Sequence, residues 1–340
     1  MEESEEADNV RFWKRRALIS VTTGLIVLSS SVTFYFSSDQ RNYFTNIALQ
    51  LVFLIPILVI SSYLIYSLDL RYRKVKIGYT RYVRNSLVYL YIAFPFWVIS
   101  AAAILSFGNP YLAFFALDVI FFLIITAMVT NLRVRLLKRT SREIENNGIV
   151  QGARGIAERM GIKISSFRVI DWSKAKIANA FQTGLSKYYV FVTNFLLENL
   201  SEDENLAIIA HEMAHAQRKH LKKTLMFASV TMIVTGNVLF ATIVLKLGYG
   251  IKTGFVLGIA TSVFLTLYIL LPFIQRRFER EADVIAARFT DPKLLADTLV
   301  KVARLNHSPV NIPSYMNLSH PSTSERVSYL MKLENLTKKY

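Results

Sequence analysis

The chain has 340 residues, of which 53% are apolar and only 19% charged, and 40 Lys+Arg against 24 Asp+Glu give a net charge of +16. Soluble domains carry about 25% charge, so an ordinary soluble enzyme is excluded, and the hydrophobicity excludes a disordered chain. Nucleic-acid binders are basic but not this apolar, whereas a multi-span membrane protein with its cations gathered on one side accounts for both facts.

A spanning helix needs about 20 mostly apolar residues. In chain order the qualifying stretches are 17–36, 44–68, 86–107, 111–130, 224–247 and 253–274. The first is not a cleaved signal peptide: its apolar core is too long and the acids Glu2, Glu3, Glu5, Glu6 and Asp8 precede it. Cations cluster before the first stretch (Arg11, Lys14, Arg15, Arg16), after the second (Arg71, Arg73, Lys74, Lys76, Arg81, Arg84), after the fourth (Arg133, Arg135, Lys138, Arg139, Arg142) and after the sixth (Arg276, Arg277, Arg280). The intervening loops hold only Arg41, Lys246 and Lys252. Basic loops stay cytoplasmic. The expected order is a cytoplasmic segment (1–16), four membrane helices (17–130), a cytoplasmic region (131–223), a membrane hairpin (224–274) and a second cytoplasmic region (275–340). The positive charge is then topological, and no nucleic-acid partner is needed. Asp118 falls mid-span between Leu117 and Val119. It is either a functional intramembrane acid or an inward carboxyl bonded to a neighbouring helix.

Within 131–223, residues 149–161 read as a short helix stopped at Gly161. Phe167–Ile170 and Tyr188–Thr193 read as strands. A short helix is expected from Asn194 to Leu200. Ser201 with Glu204 three residues on forms a capping box for the helix that continues through His211.

There is no cysteine, which removes thiol nucleophiles, disulfides and cysteine metal sites and leaves His211, His215, His220, His307 and His320 as the neutral metal ligands. His211-Glu212-Met213-Ala214-His215 sets two imidazoles one turn apart on a helical face, where both can reach one ion. Glu212 lies on the flank, positioned to act on a water at the metal. A catalytic zinc site needs a third protein ligand. Glu279 is the first choice, just past the last membrane stretch, and Glu281 the competitor; Asp283, one turn beyond Glu279, can hydrogen-bond a ligand histidine. Neutralisation of Arg276, Arg277 and Arg280 is the plainer role for these acids and fits Glu281. His220 and His307 read as surface or capping residues.

These residues resemble the HtpX-like membrane zinc metalloproteases, whose distant relatives are the type-1 CAAX prenyl proteases. The resemblance spans about 152–326 and rests on Asn179-Ala180-Phe181-Gln182-Thr183-Gly184, on the acidic lead from Ser201 into His215, on Glu279-Arg280-Glu281-Ala282-Asp283 and on His320-Pro321 with Arg326. It implies one zinc ion held by His211, His215 and Glu279, with Glu212 as the catalytic base and Asp283 supporting a ligand. It further implies that His320 and Arg326 orient substrate or stabilise the oxyanion, and that Asn179, Ala180 and Phe181 line the cleft and pair with a peptide as an added strand. A helix cap for His320 and a solvated helix face for Arg326 remain as alternatives. Gln182 stands where the family usually has alanine. Four membrane stretches precede the catalytic region, whereas HtpX-type proteins have two and the CAAX proteases have seven around a large chamber.

The expected protein is therefore mainly α-helical: a six-span polytopic membrane protein with a cytoplasmic α+β zinc-metalloprotease domain, built of a small sheet and the HExxH helix and interrupted by a membrane hairpin. Its function is hydrolysis of peptides or membrane-protein substrates at the inner face of the cell membrane, in membrane-protein quality control, with the lipid bilayer as its other partner. Processing of prenylated peptides, a non-catalytic membrane scaffold and, from Asp118 and the span count, a transporter are the rivals. Oligomeric state is open.

Overall fold

The computed structural model describes residues 2–37, 43–83, 128, 130–144, 148–248, 258, 261–262, 265–311 and 320–337. The expected third span, nearly all of the fourth, and Asp118 lie outside the described residues. Among the described residues, no helix is long and apolar enough to cross a membrane.

Two long helices open the chain, α1 (Glu2–Ser37) and α2 (Tyr43–Leu68), and they pack on each other. The acidic start and the first apolar stretch are thus continuous in one helix. Past α2, a π-helical turn at Asp69–Arg73 buries Asp69 among cations. Arg16 Nη1 lies 3.1 Å from Asp69 Oδ1, Arg73 Nη1 lies 3.8 Å away, and the Tyr82 hydroxyl donates to Oδ2 at 2.5 Å. This knot ties the pair to the next region: Arg73 donates to the carbonyl of Lys176 at 2.6 Å and the Lys76 amide to that of Lys174 at 2.7 Å. The start of α1 reaches further. Trp13 Nε1 donates to the His307 carbonyl at 3.0 Å, and Glu6 Oε1 accepts the amides of Val310 and Asn311 at 2.9 and 3.2 Å.

After a helix over 130–140, α3, the chain enters a four-stranded sheet. Its strands are β1 (Ser141–Glu143), β2 (Ile164–Ile170), β3 (Ala180–Thr183) and β4 (Tyr188–Thr193), in the order β1-β2-β4-β3. β2 and β4 run parallel, and both outer pairs are antiparallel. β4 matches its expected range; β2 begins three residues earlier than expected. β1 and β3 are strands the sequence reading did not assign. β3 is short and forms one edge of the sheet. Gly184, with φ +112, makes its tight turn into β4, where a Cβ would lie 1.9 Å from the Lys187 carbonyl oxygen.

Helices cover the sheet. α4 (Gly148–Arg159) buries Val150, Ala153, Ile156 and Ala157, a stripe at helical spacing, and Gly161 follows it with φ +67. α5 (Asn194–Asn199) leads to α6 (Glu202–Gln217), whose Ser201–Glu204 capping box is present in both directions. α6 breaks at Lys219, in the left-handed region at φ 55, and α7 (His220–Ala241) departs in a new direction. α8 (Leu271–Ala286) returns and packs along α6, followed by α9 (Pro292–Leu305) and α10 (Thr323–Thr337). Ala207, Ala210 and Ala214 on α6 and Ala282 and Ala286 on α8 are fully or almost fully buried. Small side chains at these positions let the two helices approach closely, which is what brings His211 and Glu279 together. Ile209, Met213, Leu196, Leu295 and Leu330 fill the core around them. Each such side chain contributes about 1.5–3 kcal/mol by its burial.

Candidate metal centre

α6 presents His211 and His215 one turn apart, and α8 presents Glu279 opposite them. His211 Nε2 lies 3.2 Å from His215 Nε2 and 3.5 Å from Glu279 Oε2, and His215 Nε2 lies 3.4 Å from Glu279 Oε1. Among the described residues this is the group of three side chains whose donor atoms converge, all within 4.8 Å of one another. Donors about 2.0–2.1 Å from a shared ion stand about 3.3–3.4 Å apart; the two imidazole nitrogens meet that spacing, and one carboxylate oxygen of Glu279 lies close to each of them.

The other ring nitrogens face outward, toward fixed partners. His211 Nδ1 lies 2.8 Å from Asp283 Oδ1, and the Asp283 side chain is wholly buried. Arg326 grips that carboxylate with both arms of its guanidinium, Nε to Oδ2 at 2.8 Å and Nη2 to Oδ1 at 2.6 Å, and the Tyr329 hydroxyl donates to Oδ2 as well. On the other side His215 Nδ1 lies 2.9 Å from His220 Nδ1, and His220 Nε2 lies 3.1 Å from Glu281 Oε2. With Asp283 2.8 Å from His211 Nδ1 and His220 2.9 Å from His215 Nδ1, the two Nε2 atoms and a carboxylate are left facing one another. Three acceptors facing each other call for a cation.

The electrostatics tell the same story in protons. Burial disfavours charge on His211, yet the Asp283 carboxylate overrides it and lifts the imidazole to about 10. Burial depresses His215 to about 3, with Glu279 opposing and His211 adding to the depression. Glu279 and Asp283 are both held below the ordinary carboxylate range against the pull of burial, Glu279 chiefly by His320 and His211, Asp283 chiefly by Arg326 and His211. Glu212 moves the other way: desolvation raises it to about 7, with His211 pulling it back and Glu279 pushing it up. Its Oε2 accepts the backbone amide of Gln182 at 3.1 Å, so the carboxylate is anchored on the edge strand β3.

The remaining residues singled out from sequence fall around this group. His320 is half-exposed, with Nδ1 3.1 Å from Glu279 Oε2. The cap of α10 is Ser322, whose hydroxyl accepts the Glu325 amide at 3.1 Å, so His320 is not its cap. Arg326 is largely buried against Asp283 and is not a solvated helix face. Asn179 is exposed at the start of β3, Ala180 is buried, and Phe181 stacks on Phe191 at 5.4 Å. Two expectations are corrected. His220 is buried, not a surface or capping residue, and its ring stacks on Phe278 at 4.3 Å. Glu281 pairs with Arg218 and His220 rather than with Arg276, Arg277 or Arg280. His307 does follow the end of α9, with its amide bonded to the Arg304 carbonyl at 2.9 Å. Tyr329 and Arg218 went unremarked in the sequence; the three-residue spacing of Tyr329 from Arg326 was the one available signal.

Residues 143–334 match Peptidase family M48. The chain belongs to that family. Among M48 relatives, CAAX prenyl protease 1 of Saccharomyces cerevisiae is 24% identical over 219 residues, which cover 55% of this chain and 48% of that protein. Protease HtpX of Legionella pneumophila is 28% identical over 232 residues, 58% of this chain and 81% of HtpX. The chain thus spans about half the length of the yeast relative and most of the bacterial one. The crystal structure of S. mikatae Ste24p superposes with a TM-score of 0.75 at 19% identity, covering 97% of this chain and 90% of the other. The fold is therefore Ste24-like and mainly helical with a small sheet, and the likeness extends well beyond the region of about 152–326 in which the sequence motifs lie.

Proposed function

We propose that this M48 protein is a zinc-dependent endopeptidase, with His211, His215 and Glu279 as the metal ligands and Glu212 as general base and acid. The carrying observation is the convergence of two imidazole nitrogens and a carboxylate within 4.8 Å of one another, with a desolvated glutamate anchored beside them. A zinc ion there supplies a Lewis acid for the scissile carbonyl and lowers the pKa of a water toward about 7. Glu212 takes the proton of the attacking water and delivers it to the leaving amine; its own pKa of about 7 suits both transfers. Asp283 fixes the His211 ring, and Arg326 with Tyr329 holds Asp283 in turn. His320, half-exposed beside Glu279, is positioned to donate to a substrate oxygen. The segment of Asn179, Ala180 and Phe181, which leads into and begins the edge strand β3, offers its backbone to an extended peptide.

The six-span arrangement, with 17–130 and 224–274 in the cell membrane and both termini and the metal centre on the cytoplasmic face, is part of this proposal. It is supported by the hydropathy and by the loop charges. Large apolar side chains also stand outward on α1, α2 and α7, including Val21, Val52, Ile60 and Val238. We assign the substrates to membrane proteins undergoing quality control, supported by the extent of HtpX that the chain matches. Cleavage of prenylated peptides is the second reading, favoured by the match to CAAX prenyl protease 1.

Glu212→Gln tests the chemistry. The purified variant is expected to keep one zinc per chain and lose about 10²–10⁴-fold in cleavage rate. Cleavage near the wild-type rate would refute the assignment. Side-by-side incubation with an unfolded membrane protein and with a prenylated peptide decides between the substrate classes.

A further inference from the structure

α8 sends three acids toward the metal centre, and the sequence reading gave work to two of them. Glu279 reaches the centre directly and Asp283 backs His211. Glu281, between them, reaches the centre by a longer route. Its Oε2 lies 3.1 Å from His220 Nε2, and His220 Nδ1 lies 2.9 Å from His215 Nδ1. Arg218, at the end of α6, holds the other oxygen of Glu281.

We infer that His220 and Glu281 are positioning residues for the metal ligand His215, forming a carboxylate–histidine relay that matches the direct Asp283 support of His211. The inference rests on the zinc assignment above. The polarity of the relay follows from the partners. Glu281, paired with Arg218, is a carboxylate and only accepts, so His220 must carry its proton on Nε2. His220 Nδ1 is then a bare lone pair and accepts from His215 Nδ1–H. That leaves the lone pair of His215 Nε2 facing His211 Nε2 and Glu279, as a ligand must. Partners of this kind fix the tautomer and the ring plane of a ligating histidine.

The local backbone explains why the relay exists. His220 is five residues past His215, a spacing that on a continuous helix turns the two side chains apart. The left-handed residue Lys219 breaks the helix between them and swings His220 back against His215. There the ring is 2% exposed and stacks on Phe278 at 4.3 Å with 10° between the planes. A buried imidazole needs partners for both nitrogens, and His215 and Glu281 are those partners.

Packing and hydrogen bonding can be separated, because His220 does both. His220→Phe keeps an aromatic ring on Phe278 and removes the acceptor. His220→Asn removes the stack and keeps a carbonyl acceptor. The purified full-length chain is loaded with zinc, zinc release to a colorimetric chelator is timed, and the visible spectrum of the cobalt(II)-substituted form is recorded. Zinc release about 10–100-fold faster is expected for His220→Phe, with a shifted cobalt spectrum, while His220→Asn stays within a few-fold of wild type. Wild-type release from His220→Phe, or release from His220→Asn as fast as from His220→Phe, overturns the relay. Should His220→Phe fail to fold, Glu281→Ala against Glu281→Gln reads the outer half, since the amide oxygen of Gln still accepts from His220. Faster release is then expected from Glu281→Ala alone, and equal rates for the two variants and wild type overturn the inference. A wild-type chain that binds no zinc defeats the functional proposal itself, whereas normal zinc in the wild type with unchanged variants defeats only the relay.

Discussion

Around α6 and α8 the large apolar side chains Ile209, Met213 and Leu295 are fully buried, whereas on α1, α2 and α7 the side chains of Leu18, Val21, Val52, Ile60, Val234 and Val238 are more than half exposed. Polar groups show the reverse. Thr23 Oγ1 meets Ser61 Oγ at 2.6 Å between α1 and α2, and Thr235 Oγ1 meets Ser262 Oγ at 2.8 Å between α7 and the returning chain. One region turns its apolar side chains inward and the other turns them outward, as the proposed membrane placement requires of helices that associate through small residues and hydroxyl bonds. The catalytic region meanwhile concentrates its charge in the interior, where the Asp283 and Glu279 carboxylates lie against Arg326 and the His211 imidazole. The two regions therefore fail in different ways when a charge is changed.

The largest effect is expected inside. Arg326→Ala leaves the buried Asp283 carboxylate without its guanidinium. Removal of one partner of a buried pair costs about 3–5 kcal/mol, readable as a lower melting temperature of the purified protein, with Tyr329 and His211 keeping the loss toward the low end. A variant as stable as wild type would contradict the picture of a buried, fully paired charge network. On the outer region the comparison is broken by Val234→Lys, at an exposed position of α7. A lysine mid-helix in a bilayer costs about 2.5–3.5 kcal/mol, so membrane insertion should fall; insertion and alkaline extraction like wild type would mean that this face meets water. The smallest effect is a slope. His211 is lifted from about 6.5 to about 10 by Asp283, while His215 stays neutral. In the metal-free protein this proton stabilises the fold fully below the unfolded value and ceases to do so as pH rises through the folded one. Zinc must displace it, so between about pH 6.5 and 8.5 zinc affinity should rise about tenfold per pH unit, near 1.4 kcal/mol each. Chelator competition across that range checks it. Asp283→Asn should flatten the slope, and a flat wild-type slope would remove His211 as the protonated partner.

Much of the centre was legible in the sequence because its determinants are local. The Ser201–Glu204 box starts α6, helical spacing pairs His211 with His215, and Gly161 ends α4 where a left-handed residue is required. What escaped was set by tertiary contact. β3 has only four residues, flanked by Asn179 and Gly184, and it becomes a strand through its pairing with β4. The partnership of Arg326 and Asp283 crosses 43 positions. His220 was misread because helical periodicity assumes a continuous helix, and Lys219 ends that continuity. The outward apolar faces and the inward core both draw on Leu, Val, Ile and Met, so those residue types alone do not tell them apart.

The short edge strand has a further consequence. Gln182 offers its amide away from β4, and Ala178 and Ala180 share that direction through the two-residue period of a strand. The Asn306 side chain already occupies Ala178, accepting its amide at 3.0 Å and donating to its carbonyl at 2.7 Å, much as a neighbouring strand would. Glu212 occupies the amide of Gln182. A stop thus stands at each end, and between them lie the two backbone groups of Ala180 and the carbonyl of Gln182. In the strand pairing proposed above, an incoming chain can bond to this edge over about one dipeptide before it meets a side chain already in place. In that pairing the bonded stretch is confined to the neighbourhood of Glu212, whatever side chains the incoming chain carries.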